Sequence, residues 1–104
     1  MTIEEISNHA MEVISYSGMA KSTYIEALRE LKQKNLNKFD EKINEADSYF
    51  AKAHKAHFSV LAEEMNTGEA QITMLMAHAL DQLLCTETIK TLIIEFKEIL
   101  FTEE

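Results

Sequence analysis

The stretch "ITMLMAHALDQLL", residues 72–84, places three polar side chains in an otherwise apolar run. On an α-helix, residues three and four positions apart share a face, so His78, Asp81 and Gln82 lie on one strip. A neutral imidazole can act as a nucleophile, a carboxylate can bind a cation, and an amide can donate a hydrogen bond. Because burying such groups without partners is unfavourable, the strip is a candidate functional surface.

The same strip also has a structural interpretation. Met74 and Cys85 belong to it, and a lone histidine beside an apolar seam is more often a buried or half-buried packing residue than a catalytic one. From the residues alone, His78 is therefore either a packing residue or part of a functional face, and Asp81 is a solvated carboxylate on the helix.

The elements that must position this strip are helical. The chain has 104 residues, no proline and only two glycines, so little in it opposes helix formation. This composition predicts an all-α protein with a single domain over residues 1–104. Thr2 followed by Glu5 predicts a capping box, which would start the first helix at Thr2.

Turn-forming residues along the chain separate three predicted helices. The first should end near "KQKNLN", residues 32–37, and the second, whose apolar seam begins at Phe39, should end at the break at "MNTGEA", which contains Gly68. The third should run from about Gln71 to near the C-terminus. Both connections are short, which predicts an antiparallel three-helix bundle. Gly18, inside the first helix, typically marks close helix packing.

Each predicted helix carries a heptad-like seam of apolar or small residues. The seams are Ile3, Ile6, Ala10, Val13, Ser17, Ala20, Tyr24, Ala27 and Leu31; then Phe39, Ile43, Ala46, Phe50, Ala53, His57 and Val60; then Ile72, Leu75, Ala79, Leu83, Thr86, Ile89, Ile93, Phe96 and Leu100.

The third helix is apolar around most of its circumference, which two neighbouring helices cannot cover. This excess predicts a subunit interface and hence a homo-oligomer. The alternative is that some apolar side chains are simply exposed, as is common for scattered residues. The additional apolar positions are Met74, Met76, Leu80, Leu84, Cys85, Leu92 and Ile94.

The negative net charge of the chain limits the classes of molecule that it can bind. The formal net charge is -8, and residues 56–104 hold nine acidic side chains against Lys90 and Lys97. Such a surface repels nucleic acid and anionic lipid. The acidic N-terminus lacks the features of a signal peptide, Cys85 alone cannot form an internal disulfide, and residues 72–84 are too few to span a membrane. A cytoplasmic location is expected.

Other metal and catalytic motifs give little support. His54 and His57 could share a metal, but their helix offers no obvious third ligand, and a surface or seam position is the alternative. There is no His-Glu-x-x-His, no Glu-x-x-His, no glycine-rich phosphate loop and no cysteine pair. Hydrolytic metalloenzymes, di-iron proteins and nucleotidases are therefore not indicated.

Three stretches together carry a family resemblance. "HALDQLL", residues 78–84, resembles the signature His-Ala/Gly-Gln-Asp-His-Leu-Met. "YSGMAKS", residues 16–22, is similar to Tyr-Ala-Gly-Asp-Ala-Arg-Ser, and "EADSYFAKAHKAH" contains the Ala53–His54 pair of a third pattern. In this order and spacing they resemble the lactose/cellobiose-type enzyme IIA components of bacterial phosphoenolpyruvate-dependent sugar phosphotransferase systems, over nearly the whole chain.

The resemblance implies three-helix subunits assembled as homotrimers. It also implies that His78 accepts a phosphoryl group from the histidine-containing phosphocarrier protein and passes it to a cysteine of the cognate IIB component, which serves the membrane IIC component. Asp81 would lie on the trimer axis, where three copies share a divalent cation, usually taken to be Mg²⁺. Gln82 would support the phosphoryl group.

The chain departs from the family pattern at three positions: Leu80 replaces a glutamine, Gln82 a histidine and Met19 an aspartate. Gln82 can still donate through its amide. With no Lys or Arg between residues 70 and 86, the spacing leaves only Gln82, Thr73 and Thr86 as local donors. The alternative function is therefore an interaction or regulatory module with the same fold and no phosphotransfer.

Overall fold

The structure, a computed structural model, describes residues 1–101 as three helices: α1, Ile3–Lys32; α2, Leu36–Thr67; and α3, Met74–Leu100. The predicted all-α fold is confirmed. The short connections make successive helices antiparallel, so α1 and α3 run in the same direction. α1 packs against both other helices, whereas α2 and α3 hardly touch. The bundle measures 52 × 23 × 18 Å.

The first helix begins where the sequence predicts. The Glu5 amide donates to Thr2 Oγ1 at 3.1 Å, and the Thr2 amide donates to Glu5 Oε1 at 3.2 Å, which completes the capping box. These hydrogen bonds also lower the pKa of the Glu5 carboxyl. The second helix begins at Leu36, because the Asn35 side chain caps it by accepting from the Lys38 amide.

The connection between α2 and α3 covers residues 68–73, slightly further along the chain than predicted. Gly68 ends α2 in the left-handed conformation, with φ 71°, as its position indicates. The third helix begins at Met74, three residues after the predicted start near Gln71, since Thr73 is the N-cap. Gln71 is instead tied back to the end of α2: its backbone amide donates to Glu64 Oε2 at 3.2 Å. Its side-chain amide donates to the Glu69 carbonyl at 3.1 Å.

The core consists of two buried clusters stacked along the bundle, and they contain most of the predicted seam. One cluster is Ile6, Ala10, Val13, Ala53, Ala56, Val60, Met76, Ala79 and Leu83. The other is Ala20, Tyr24, Ala27, Leu31, Phe39, Ala46 and Ile93.

Four predicted seam residues are exposed instead: Ile3, Ile72, Phe96 and Leu100. Ile3 and Leu100 are terminal residues of their helices, and Ile72 precedes α3, so neighbouring helices do not cover them. Phe96 is 18 residues from His78, which is five whole turns, so it shares the outer face of α3.

Gly18 does not mark a close approach between helices within the chain. A Cβ added there would meet nothing within 4 Å, so the expectation of close packing is wrong for the single subunit. Within residues 1–101, no helix is long and apolar enough to cross a bilayer.

Candidate functional site

His78 lies one turn into α3, and its side chain is exposed. No hydrogen bond or ion pair within residues 1–101 engages its ring. The ring is therefore not buried within the single chain. Since α3 begins at Met74 and has no acidic residue in its first turn, no carboxylate offsets the positive end of the helix next to this imidazole.

The predicted strip exists as one surface of α3. Met74, His78, Asp81 and Cys85 are all exposed, and Gln82 is half-buried. The strip is thus a solvent-facing row of side chains on the single chain, with the carboxylate and the amide about one turn after the imidazole. The structure brings together the same residues that helical spacing predicts.

Only one of the three predicted donors is free to turn toward His78. Thr73 Oγ1 accepts from the Met76 amide at 3.1 Å and so caps the helix. Thr86 is buried, and its hydroxyl points to the carbonyl groups of Ser17 at 3.1 Å and Gln82 at 3.0 Å. This leaves the Gln82 amide, four residues from His78, as the local donor.

The two lysines of α3 are far from the strip and already paired. Lys90 Nζ lies 2.8 Å from Asp47 Oδ1, and Lys97 Nζ lies 3.7 Å from Asp40 Oδ1. An anion on His78 would therefore find no cation on its own helix.

A cavity lies on the other flank of α3, where Leu80 faces α2. Its volume is about 110 Å³, and His57, Gln71 and Met76 also line it. Burial of the His57 ring, with a smaller repulsion from His54, lowers the pKa of His57. Gln71 Oε1 is buried there, and no hydrogen-bond partner for it exists in the part of the chain that the structure describes.

A single chain does not assemble a metal site. Asp81 is exposed and has no ion-pair partner among residues 1–101. Over the same residues, no three His, Cys, Asp or Glu side chains are close enough to hold one ion, and this includes the surroundings of His54 and His57. One exposed carboxylate per chain can still serve as one ligand of a site shared between chains.

The sequence analysis did not predict a row of aromatic and imidazole rings in contact with one another on α2. Phe50 and His54 are in edge contact, with centroids 4.6 Å apart. His54 and Phe58 lie 6.1 Å apart, and His57 stacks with Phe58 at 5.9 Å. The signal in the sequence is the i, i+4 repeat of Phe50, His54 and Phe58, which places aromatic rings on one helix face.

The model of one protein family, the lactose/cellobiose-specific IIA subunit of the PTS system, matches residues 8–100. The chain belongs to this family. The role of the family is sugar phosphotransfer, which agrees with an exposed histidine in a helical bundle.

Individual relatives agree with this assignment. The chain is 32% identical over 92 residues to the PTS system lactose-specific EIIA component of Staphylococcus epidermidis, covering 88% of each protein. It is also 32% identical to the component of the same name from Lactococcus lactis, covering 89% of each.

Two crystal structures share the fold. PtcA from S. mutans superposes with a TM-score of 0.90 at 35% identity, covering 96% of this IIA subunit and 98% of PtcA. The cellobiose-specific enzyme IIA from Bacillus anthracis superposes with a TM-score of 0.83 at 30% identity, covering 96% of this chain and 89% of the other.

Proposed function

We propose that this IIA subunit is a phosphocarrier in which His78 accepts a phosphoryl group from the histidine-containing phosphocarrier protein and passes it to a IIB cysteine. The observation that carries the proposal is the exposed His78 imidazole on the apolar helix, free of intramolecular hydrogen bonds in the described chain. A large partner can reach this ring without any rearrangement of the bundle.

The transfer needs little from the protein beyond position and charge. The bond between phosphorus and the donor's ring nitrogen breaks as a new P–N bond forms at His78. The departing imidazole gains a proton, and the His78 ring loses one. In the second step the P–N bond at His78 breaks, phosphorus bonds to the sulfur of the IIB cysteine, and the ring takes up the proton that the thiol gives up.

Gln82 supports the phosphoryl group in this scheme by donating through its side-chain amide. The group carries about two negative charges and accepts several hydrogen bonds, whereas residues 70–86, which surround His78 in sequence, contain no Lys or Arg. The visiting proteins therefore supply the positive charge during transfer.

The assembled state is a homotrimer built on α3. The single chain exposes 6773 Å², more than the roughly 5,900 Å² expected for a compact monomer of this mass. Exposed side chains also repeat along α3 with alternating steps of four and three, the spacing of an interhelical seam. These positions are 74, 78, 81, 85, 88, 92, 95 and 99.

Asp81 lies on this seam and would meet its two copies at the trimer axis. Three carboxylates at one point repel each other unless a cation or protons neutralise them. An oxygen-only ligand set suits a hard divalent cation such as Mg²⁺. The ion, when bound, would neutralise the axis and would not take part in phosphotransfer.

The sugar served by this carrier belongs to the lactose/cellobiose type. The curated relatives are named lactose-specific, and one structural neighbour is named cellobiose-specific. The IIA subunit works in the cytoplasm and reaches the membrane IIC component only through IIB. The sugar itself does not contact this subunit.

Reconstitution tests the proposal. Phosphoenolpyruvate, the general phosphotransferase enzymes and this protein are combined, and intact mass is expected to show one acid-labile phosphoryl group per chain. The His78→Ala variant should remain unlabelled, while the control His57→Gln should be labelled like the wild type. Label that persists in His78→Ala would disprove the assigned acceptor.

A second candidate function follows from the departures at Leu80 and Gln82, which remove polar capacity near His78. It is a regulatory module that keeps the fold and binds partners without accepting phosphate. An unlabelled, folded wild type in the same reconstitution would favour it over the carrier.

A further inference from the structure

Phe58 is a large apolar side chain held in place but not covered. Its ring packs against His57 on one side and His54 on another, with centroids 5.9 and 6.1 Å away. The side chain is nevertheless 57% exposed. Since its neighbours restrict the ring, covering it would cost little further conformational entropy.

Phe58 and His78 lie at the same height along the bundle. His57 of α2 lines one cavity with Met76 and Leu80 of α3, on either side of His78 in sequence. At about 1.5 Å per residue, Phe58 is therefore within roughly a turn of the height of His78.

The two residues lie on opposite flanks of the subunit. Ile89 lines a groove with Lys21 and Ile25 of α1. His78 precedes Ile89 by 11 residues, which is close to three whole turns, so it lies on the same α1-facing flank. On the other flank, Leu80 lines a cavity with His57 of α2, and the Phe58 ring stacks with that of His57.

A cyclic assembly brings opposite flanks together, because each head-to-tail contact joins two different surfaces. The exposed seam of α3 runs the length of the helix, so burying it requires a symmetry axis nearly parallel to α3. Equal heights are then preserved between subunits. The flank that carries Phe58 therefore meets the flank that carries His78 of the next subunit.

We propose that Phe58 of each subunit packs over His78 of the adjacent subunit and shields the phosphohistidine from water. The inference rests on the proposed phosphocarrier function and adds a positioning residue in trans. Hydrolysis breaks the P–N bond as water adds to phosphorus, giving inorganic phosphate and free histidine. An apolar ring beside the group displaces the water that this reaction needs.

The lifetime of the phosphohistidine tests the proposal. The protein is phosphorylated, separated from its donor, and followed by intact mass, while light scattering monitors assembly. Phe58→Ser should shorten the lifetime on the order of tenfold. The matched control Met65→Ser removes another exposed apolar side chain, two turns further along the same face of α2, and should leave the lifetime unchanged. Phe58→Leu, which stays apolar, should retain most of the protection.

Mixed assemblies test whether Phe58 acts in trans. His78→Ala chains, which keep Phe58, are mixed randomly with Phe58→Ser chains, which keep His78. Because each His78 has one adjacent Phe58 position in a cyclic trimer, about half of the phosphorylated sites should regain the slow decay. If Phe58→Ser does not assemble, Phe58→Ala is used, with the same expected half.

The outcomes separate the two proposals. Three results would overturn the trans contact and leave the carrier function standing. They are uniformly fast loss of the phosphoryl group in the mixture, loss at the wild-type rate in Phe58→Ser alone, and a monomeric wild type that is still phosphorylated. A wild type that accepts no phosphate would overturn both.

Discussion

Lys90 of α3 forms an ion pair with Asp47 of α2, with 2.8 Å between Nζ and Oδ1. The same oxygen accepts a hydrogen bond from the hydroxyl of Tyr24 on α1 at 2.5 Å. One carboxylate therefore joins all three helices, including the pair α2 and α3 that otherwise hardly touch. Burial, together with the neighbouring Asp47, raises the pKa of Tyr24, so the phenol remains a hydrogen-bond donor.

Removing this carboxylate should destabilise the bundle. Asp47→Ala leaves the hydroxyl of the fully buried Tyr24 without its acceptor, so the free energy of unfolding in urea should fall by about 1–3 kcal/mol. Lys90→Ala breaks only a partly exposed ion pair and should cost about 0–1 kcal/mol. Equal losses in the two variants would contradict the central role of the Tyr24 hydrogen bond.

Acid should destabilise the fold partly through His57. Burial lowers its pKa from the ordinary 6.5, so between those two pKa values the unfolded chain binds the proton more readily than the folded chain. The contribution of His57 is therefore favourable above pH 6.5, and it is lost as the pH falls below that value. Urea unfolding from pH 7.5 to 5 should show this decline.

The His57→Gln variant isolates that contribution. Its stability should fall less steeply with acid than that of the wild type. His54→Gln removes the smaller effect on the pKa of His57, the repulsion from His54, so it should make the fall of stability with acid only slightly less steep. A profile for His57→Gln that parallels the wild type would show that His57 has no part in the acid response.

Removing either of two buried hydroxyl groups should change the stability of the protein, and the two changes should have opposite signs. Ser17 Oγ is buried, and no partner for it exists among the described residues, so Ser17→Ala should stabilise the protein by about 0.5–1 kcal/mol. The Thr86 hydroxyl contacts the Ser17 carbonyl across the helix interface, so Thr86→Val should destabilise it by about 1 kcal/mol. Thermal unfolding of the two single variants measures both changes in stability. A loss of stability in Ser17→Ala would contradict the prediction for Ser17.

Asp81→Leu should leave a folded oligomer. If three carboxylates meet at the axis, the change replaces clustered charge with apolar contact and should raise the melting temperature of the assembly. A chelator should lower the melting temperature of the wild type and leave that of the variant unchanged. Dissociation of Asp81→Leu in light scattering, or an equal effect of the chelator on both proteins, would count against the axial site.

Local patterns predicted most of the helical fold. The Thr2–Glu5 capping box, the left-handed Gly68 and most of the seam depend on neighbours within about one turn, so they are visible in the sequence. Predictions failed where a distant contact intervened. Gln71 was placed at the start of α3, but its backbone hydrogen bond to Glu64, near the end of α2, holds it in the connection.

By itself, the sequence determined the helix class, the strip that carries His78, Asp81 and Gln82, and the family resemblance, because these follow from residue order and helical period. Only the tertiary structure decided that the imidazole is exposed, that the Thr86 hydroxyl is engaged with α1, and that the Phe58 ring is held yet uncovered. The reason is physical: the helical period fixes which residues share a face, whereas the packing of distant segments fixes which faces meet and which remain open to other molecules.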